Sequence, residues 1–234
     1  MAAEDLVSII VPTRNEVENV TFLVEKVIGS GFPISEIIFV DADSNDGTRE
    51  TIVSLSKTKP VRLLEQIPSE PGLAAGIMAG VRSAMGDLIV VMDADLSHPP
   101  DQIGNLLAPI ISGEADLVIG SRYIPGGSTP GWPLWRRIMS RTAGLAAYPL
   151  TGVNDSMSGF FAISRTRLLD LAPPAIGFKI AFETILRGRS TLRIREVPIA
   201  FRDRTRGRSK MSFGVALRFL VRWIAALLRR VVVI

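Results

Sequence analysis

The sequence predicts an α/β fold, a mostly parallel sheet flanked by helices, with amphipathic helices added toward the C-terminus. Three observations predict it. Short apolar runs of strand length alternate with segments of helical period. Those runs are apolar throughout, as strands buried on both faces are, whereas half-exposed strands alternate with polar residues. Three of them end abruptly in polar clusters, the pattern of a wound sheet whose ligands lie beyond the strands' carboxyl ends. At 234 residues the chain suits one such domain, or one domain with an appendage, and can bury a sizeable core.

Residues 7–11 read as the first strand and residues 12–16 as the turn that ends it. Val20, Leu23, Val24, Val27 and Ile28 then recur at helical spacing over about residues 17–29. A second apolar strand, 37–40, runs into the acidic cluster 41–48; a helix follows to about Ser56, then a short strand over 61–64 and a helix over about 72–84. Leu88, Ile89, Val90, Val91 and Met92 make the central strand, followed at once by Asp93 and Asp95 and stopped by Pro99 and Pro100. A helix near 101–112 and a strand over 116–120 continue the alternation.

Past residue 121 the composition changes. A Pro- and Gly-rich loop, 125–131, precedes a helix from Leu134 to about Tyr148 that carries Arg136, Arg137 and Arg141. A strand over 157–163, a helix over 178–186 and a strand over 194–201 follow, the last at a sheet edge because it contains Pro198. Residues 202–210 form a basic loop with five Arg/Lys. The tail, 213–234, is apolar apart from Arg218, Arg222, Arg229 and Arg230. Three of these arginines fall within about 40° of one another on a helix, giving one basic stripe. Spanning a bilayer takes about 20 largely uncharged residues. The expectation is therefore a helix in a membrane interface, with Trp223 near the headgroups; packing on the protein's own core is the alternative.

The net charge of +4 conceals an asymmetry. Residues 1–117 hold 7 Lys/Arg and 18 Asp/Glu, a balance of −11, whereas residues 118–234 stand at +15. One half is built around acids and the other around bases, as expected if a metal sits on the first while phosphates or an anionic membrane surface face the second. Nucleic acid is not expected as a partner, since the arginines are not interleaved with stacking aromatics. There is no cysteine, which removes disulfides, thiolate metal sites and cysteine nucleophiles and favours a reducing compartment. The acidic N-terminus lacks the pattern of a signal peptide, so the glycosylation-type tripeptides at Asn19 and Asn154 are set aside.

Asp93 and Asp95 are two positions apart, so in an extended segment their carboxylates point the same way and reach one hard cation together. No Gly-x-Gly-x-x-Gly follows the first strand and no P-loop occurs, so neither a dinucleotide fold nor a P-loop NTPase is supported. The run from Asp41 to Gly47 fails as an EF-hand, with its glycine one place late and Ile52 where the bidentate acid belongs. A strand ending in Asp-x-Asp also begins aspartate-nucleophile phosphohydrolases, but the second half has few acids for their second metal-binding pair. The remaining reading is a clamp in which Mg²⁺ or Mn²⁺ on Asp93 and Asp95 neutralises a nucleoside diphosphate leaving group. His98, the single histidine, takes a structural role, because a phosphate acceptor is already largely a dianion near neutral pH and needs no base.

A series of motifs occurs in order: Pro12-Thr13-Arg14-Asn15-Glu16; Val40-Asp41 with Asp46-Gly47-Thr48; Met92-Asp93-Ala94-Asp95-Leu96-Ser97-His98-Pro99; Gly120-Ser121-Arg122-Tyr123; Glu196-Val197-Pro198-Ile199; and Phe201, Arg204, Gly207, Ser209 and Lys210. Through this series the chain resembles the dolichol-phosphate (polyprenyl-phosphate) mannosyltransferases, inverting GT-A glycosyltransferases that move mannose from GDP-mannose to dolichyl or polyprenyl phosphate. The resemblance implies a GT-A domain over residues 1–212, with a nucleotide- and metal-binding half, 1–122, and an acceptor-binding half, 123–212, followed by the interfacial helix 213–234. It implies that Pro12, Glu16, Val40 and Asp41 hold the guanosine end, that Asp93, Asp95 and Ser97 bind the metal, and that Ala94 contacts the nucleotide through its backbone. Arg122, Arg204 and Lys210 would grip the diphosphate or the acceptor phosphate, so that Asp93, Asp95 and Arg122 carry the catalysis. Glu183 matches a further family acid.

Two positions depart from the family pattern. Arg14 stands where a Tyr is usual, leaving a guanidinium plane for the base, and Ala42 replaces the second acid of an Asp pair, displacing it to Asp43 at the ribose. The resemblance also implies work at the cytoplasmic face of the plasma membrane or endoplasmic reticulum, peripheral or anchored by a small membrane subunit or a further C-terminal transmembrane domain. Glucosyl or N-acetylglucosaminyl transfer to the same lipid, or a catalytically idle sugar-nucleotide-binding subunit, are the alternatives.

Overall fold

A computed structural model describes residues 6–66, 72–173 and 179–203. Arg204, Lys210 and the expected interfacial helix 213–234 lie outside the described residues. The elements run β1 (Val7–Thr13), α1 (Val17–Ile28), β2 (Glu36–Asp41), α2 (Thr48–Leu55), β3 (Val61–Glu65), α3 (Leu73–Ser83), β4 (Leu88–Val91), α4 (Ile103–Ile111), β5 (Leu117–Ser121), α5 (Leu134–Thr151), β6 (Phe161–Ser164), α6 (Arg165–Leu171), α7 (Ile180–Gly188) and β7 (Ile194–Pro198). The strands make one sheet in the order β3-β2-β1-β4-β6-β5-β7, parallel except for β6, which pairs antiparallel with both β4 and β5.

The apolar strand runs supply both faces of this sheet. Ile9, Val11, Phe39, Val90 and Ala162 face α1, α2 and α4, while Ile10, Ile38, Ile89, Val91 and Ile163 face α3, α6 and α7. Glycine permits one close approach: a Cβ at Gly80 of α3 would lie 2.7 Å from Ile10 Cγ2, so the helix could not sit this near the sheet with any other residue. A third, small cluster of Ala147, Leu150, Met157 and Phe182 packs the C-terminal half of α5 on α7.

Strand order reverses between β1 and β4, since β2 and β3 lie on one side of β1 and all later strands on the other. In a wound sheet this reversal opens a crevice beyond the strand ends. Two sequence expectations need correction. The strand expected over 157–163 is β6, which begins only at Phe161 and leaves Met157 to Phe160 as a loop; and β1 continues through Pro12 to Thr13. Thr13 O accepts from Ala42 N on the β2 side and Ile10 O from Met92 N on the β4 side, so Pro12 turns its donorless nitrogen toward β4, whose pairing has already ended at Ile10↔Val91. Proline is therefore harmless within this strand.

Candidate active site

The loops after β1 and β2 are stitched into one wall of the crevice. Ser44 Oγ accepts from Asn15 N at 2.8 Å, Asn15 Oδ1 accepts from Asn45 N at 3.0 Å, and Thr48 Oγ1 accepts from Glu16 N at 2.9 Å. Thr48 in turn donates from both N and Oγ1 to Asp46 Oδ1, and these bonds, with one from Val17 N, outweigh the upward push of partial burial and leave the Asp46 carboxyl below its usual pKa. Asp41 is fully buried; its carboxylate accepts from Ser44 N at 2.9 Å, from Ser44 Oγ and from Arg49 Nε at 2.5 Å. Its oxygens are thus occupied within the protein, and Arg49, reaching on toward Asp43 and Glu65, is the strut that spans this wall. Arg14 is exposed, the Asp43 side chain is 95% exposed, Val40 is buried in β2, and Glu16 Oε2 accepts from Asn19 Nδ2 at 2.8 Å.

The acid loop follows β4 at the strand reversal. Ala94 and Asp95 are buried, whereas the Asp93 side chain is 39% exposed and opens to the crevice. Asp95 Oδ1 accepts from Ser97 N at 3.1 Å, which closes a tight turn through Leu96 at a left-handed φ of 61°. Asn15 and Asp43 in the two neighbouring loops also adopt positive φ, so all three crevice loops hold one non-glycine residue in a conformation that costs energy and persists only when its surroundings impose it. His98 is buried and stacks on Phe160, with ring centroids 5.2 Å apart; its Nδ1 accepts from Asp93 N at 2.9 Å. Desolvation drives its pKa down against the pull of Asp93 and Asp95, so the imidazole stays neutral and fixes the backbone of the acid loop.

A divalent cation fits this loop. Asp93 and Asp95 are hard oxygen donors, and Ser97 Oγ is buried with no hydrogen-bond partner among the described residues, an orphan that a cation or its water would satisfy. Among the described residues no group of three acids or histidines gathers to hold a metal. Such a cation would need further ligands from water and substrate phosphates, as Mg²⁺ usually does.

Arg122, at the end of β5, faces this loop from the basic half. Its Nε and Nη2 each donate to Asp155 at 2.7 Å, and its backbone N donates to Asp155 Oδ2 at 2.9 Å. Burial alone would lower the guanidinium pKa, but the Asp155 bonds and charge hold it above its ordinary value. The guanidinium lies 5.1–5.5 Å from the ring centroids of Tyr123, Trp132 and Phe201. Asp155 is itself set by Glu196 of β7, whose carboxylate accepts from Asn154 N, Asn154 Nδ2 and Asp155 N at 2.8–3.0 Å. From Phe201 the contacts return to the acids: its ring meets His98 edge-on at 5.2 Å, and Arg202 N donates to Ser97 O at 3.1 Å. The structure thus brings Pro12, Asp93, Ala94, Asp95, Ser97 and Arg122 to one crevice. Asp155, Glu196, Arg49 and Lys179 belong to the same assembly; Glu196 stands in one of the sequence motifs, but none of the four carried an expected role.

The comparisons give the class, a glycosyltransferase. The chain belongs to glycosyl transferase family 2, whose model matches residues 8–171, and within it to the dolichol-phosphate (polyprenyl-phosphate) mannosyltransferases. It is 38% identical to a dolichol-phosphate mannosyltransferase of Pyrococcus furiosus over 92% of this chain, but spans 61% of that relative's length. The dolichol-phosphate mannosyltransferase of Saccharomyces cerevisiae is 36% identical over 91% of this chain and 84% of its own, and the undecaprenyl-phosphate mannosyltransferase of Micrococcus luteus 34% over 92% of each. Among solved structures, glucosyl-3-phosphoglycerate synthase of Mycobacterium tuberculosis, crystallised with Mn²⁺, UDP and glucosyl-3-phosphoglycerate, superposes with a TM-score of 0.74 at 21% identity, covering 97% of this chain and 80% of that one. That likeness shows the GT-A type of fold.

Proposed function

We propose that the protein transfers mannose from GDP-mannose to a dolichyl or polyprenyl phosphate, with inversion, giving polyprenyl-phosphate mannose. The observation that carries this reading is identity of 34–38% across about nine-tenths of the chain to relatives named for mannosyl transfer to lipid phosphates. The crevice supports it chemically. An acceptor phosphate oxygen attacks the anomeric carbon, the bond from that carbon to the donor phosphate breaks, and GDP departs. No general base is required of the protein, which agrees with a neutral His98 whose Nδ1 is already engaged. A Mg²⁺ or Mn²⁺ on Asp93, Asp95 and Ser97 would supply positive charge to the leaving diphosphate. The chain's own residues position: the stitched β1 and β2 loops shape the nucleoside wall, and His98 and Arg122 hold the acid loop and its facing wall in register.

The same reading brings the crevice to a lipid surface. Helix α5 exposes Leu134, Trp135, Ile138, Met139, Leu145 and Tyr148, beside Arg137 and Arg141. No helix among the described residues is long and apolar enough to cross a membrane, and an exposed apolar face beside arginines supports a helix that lies along a membrane surface.

Turnover decides. The purified chain with GDP-mannose, a short polyprenyl phosphate and Mn²⁺ is expected to release GDP and form the lipid-linked mannose at least tenfold faster than with UDP-glucose. Chelation by EDTA and the Asp95→Asn substitution should each abolish it, the latter without unfolding the protein. A preference for UDP-glucose, or near-normal turnover by Asp95→Asn in saturating metal, would sink the assignment.

A further inference from the structure

Lys179 stands at the N-terminal boundary of α7, where a helix favours negative charge and disfavours a cation. The residue is exposed as a whole, and its ammonium makes a partly buried hydrogen bond, donating to Met157 O at 2.9 Å. Met157 opens the loop that abuts the acids: a Cβ placed on Gly159, two residues on, would lie 3.5 Å from Asp93 Oδ1 and 3.2 Å from His98 Cε1. Lys179 is therefore tethered to the same wall against which the Asp93 carboxylate rests. Electrostatically it faces Asp93, Asp155 and Arg122, and among the described residues it acts with Arg122 on His98.

The two cations differ in how their charge is met. Arg122 is matched at 2.7 Å by Asp155 through two hydrogen bonds. Lys179 has no described carboxylate within 4.0 Å, and one neutral carbonyl takes a single one of its three donors. Desolvation and the neighbouring Arg122 both disfavour the ammonium, pressing its pKa down. A cation held beside the acid loop, at the unfavourable end of a helix, near another cation and with no described acid in contact, is an arrangement that an incoming anion completes.

We infer that Lys179 is a further substrate-contact residue, whose ammonium takes a phosphate oxygen of a substrate bound beside Asp93. This rests on the reading that the substrates carry phosphates, which two ligands do, the nucleoside diphosphate and the lipid monophosphate. The shared chemistry is an anionic phosphate oxygen too weakly neutralised by Arg122, whose charge Asp155 already offsets.

Binding calorimetry with Mn²⁺ on the whole chain tests it, using guanosine, GDP and a short polyprenyl phosphate as probes on the parent, Lys179→Met and Lys179→Arg. The expected result is at least tenfold weaker binding of GDP or of the polyprenyl phosphate to Lys179→Met, unchanged binding of guanosine, and recovery of most of the affinity in Lys179→Arg. Loss confined to GDP assigns the contact to the leaving group; loss confined to the lipid phosphate assigns it to the acceptor. Affinities for both phosphates within threefold of the parent overturn the inference, and so does an equal loss for GDP and guanosine, which marks a structural role. If Lys179→Met does not fold, Lys179→Gln, which retains a donor for Met157 O without the charge, decides by the same criteria. A parent that binds these phosphates but fails to turn over GDP-mannose overturns the proposed function and leaves this inference standing. A parent that binds neither phosphate overturns both.

Discussion

At Arg122 a single guanidinium joins three segments: the end of β5, the turn at Asp155, and the aromatic cluster of Trp132 and Phe201. The arginine is legible in the sequence because it sits in a motif next to a strand end. Its partner is not. Asp155 lies 33 residues away in Asn154-Asp155-Ser156, which as a tripeptide suggests only a glycosylation acceptor, and no local pattern announces that its carboxylate is fully buried. Asp41 shows the converse, since its place at a strand end is legible while its engagement by Ser44 and Arg49 is a property of the folded loop. Removing one partner of a buried pair leaves the other charge uncompensated, at a cost of about 3–5 kcal/mol. Asp155→Ala should therefore lower unfolding stability in urea by that order, far more than Glu196→Gln, which weakens the bonds to the turn but leaves the Arg122–Asp155 pair in place. A loss below about 1 kcal/mol for Asp155→Ala would show that Arg122 finds another partner or solvent.

Among the elements, the positions of strands and helices follow from apolar period and breakers, but the direction of β6 does not. A four-residue run buried on both faces reads the same in either orientation, and its antiparallel course is set by the loop from Asp155 to Phe160 that must first reach the acid loop. Helix α6 escaped the sequence reading because seven residues starting directly after a strand leave little period to detect. The edge pair β5–β7 is closed at its start by Asp116, which accepts from Arg193 N at 2.8 Å and from Arg193 Nε and Nη2 at 3.0 Å. The guanidinium bonds outweigh partial burial and hold the Asp116 pKa at about 2, below its ordinary value of 3.8. For a carboxyl lowered on folding, the stabilisation is present above the ordinary pKa and is lost as pH falls through the folded one. Arg193→Ala should thus destabilise the protein by a constant amount between pH 7 and 5. The difference from the parent should narrow as pH drops from about 4 toward 2. A difference that stays constant down to pH 2, measured by urea unfolding, would mean that the arginine acts through packing instead.

For the whole molecule the governing feature is polarity of charge combined with an exposed apolar helix. The acidic first half carries the acid loop, and the basic second half carries Arg122, Lys179 and α5. Helix α5 buries Gly144, Ala147, Leu150 and Thr151 against the protein and leaves Trp135, Ile138 and Leu145 at 55–62% exposure on another face. Apolar side chains so clustered on a helix surface mark an interaction site. Arg136 is turned back to the body, pairing with Asp203 at 2.9 Å and lying 4.0 Å from the Trp132 ring centroid, so Arg137 and Arg141 remain as the outward charges of α5. Each arginine near an anionic leaflet contributes about 1 kcal/mol, and each large apolar side chain taken from water contributes about 1.5–3 kcal/mol when fully buried. On these magnitudes the apolar face outweighs the two charges. Replacing Trp135, Ile138 and Leu145 together by Ser should lower binding to anionic vesicles at least a hundredfold, whereas Arg137→Gln with Arg141→Gln should lower it about tenfold to thirtyfold, an effect that shrinks in high salt. None of these residues lies at the acid loop, so GDP binding should be unchanged in both variants. Flotation with vesicles, scored beside GDP affinity, checks the ordering: a serine variant that floats like the parent would remove α5 from the membrane surface, and one that also loses GDP binding would make the helix part of the fold's support.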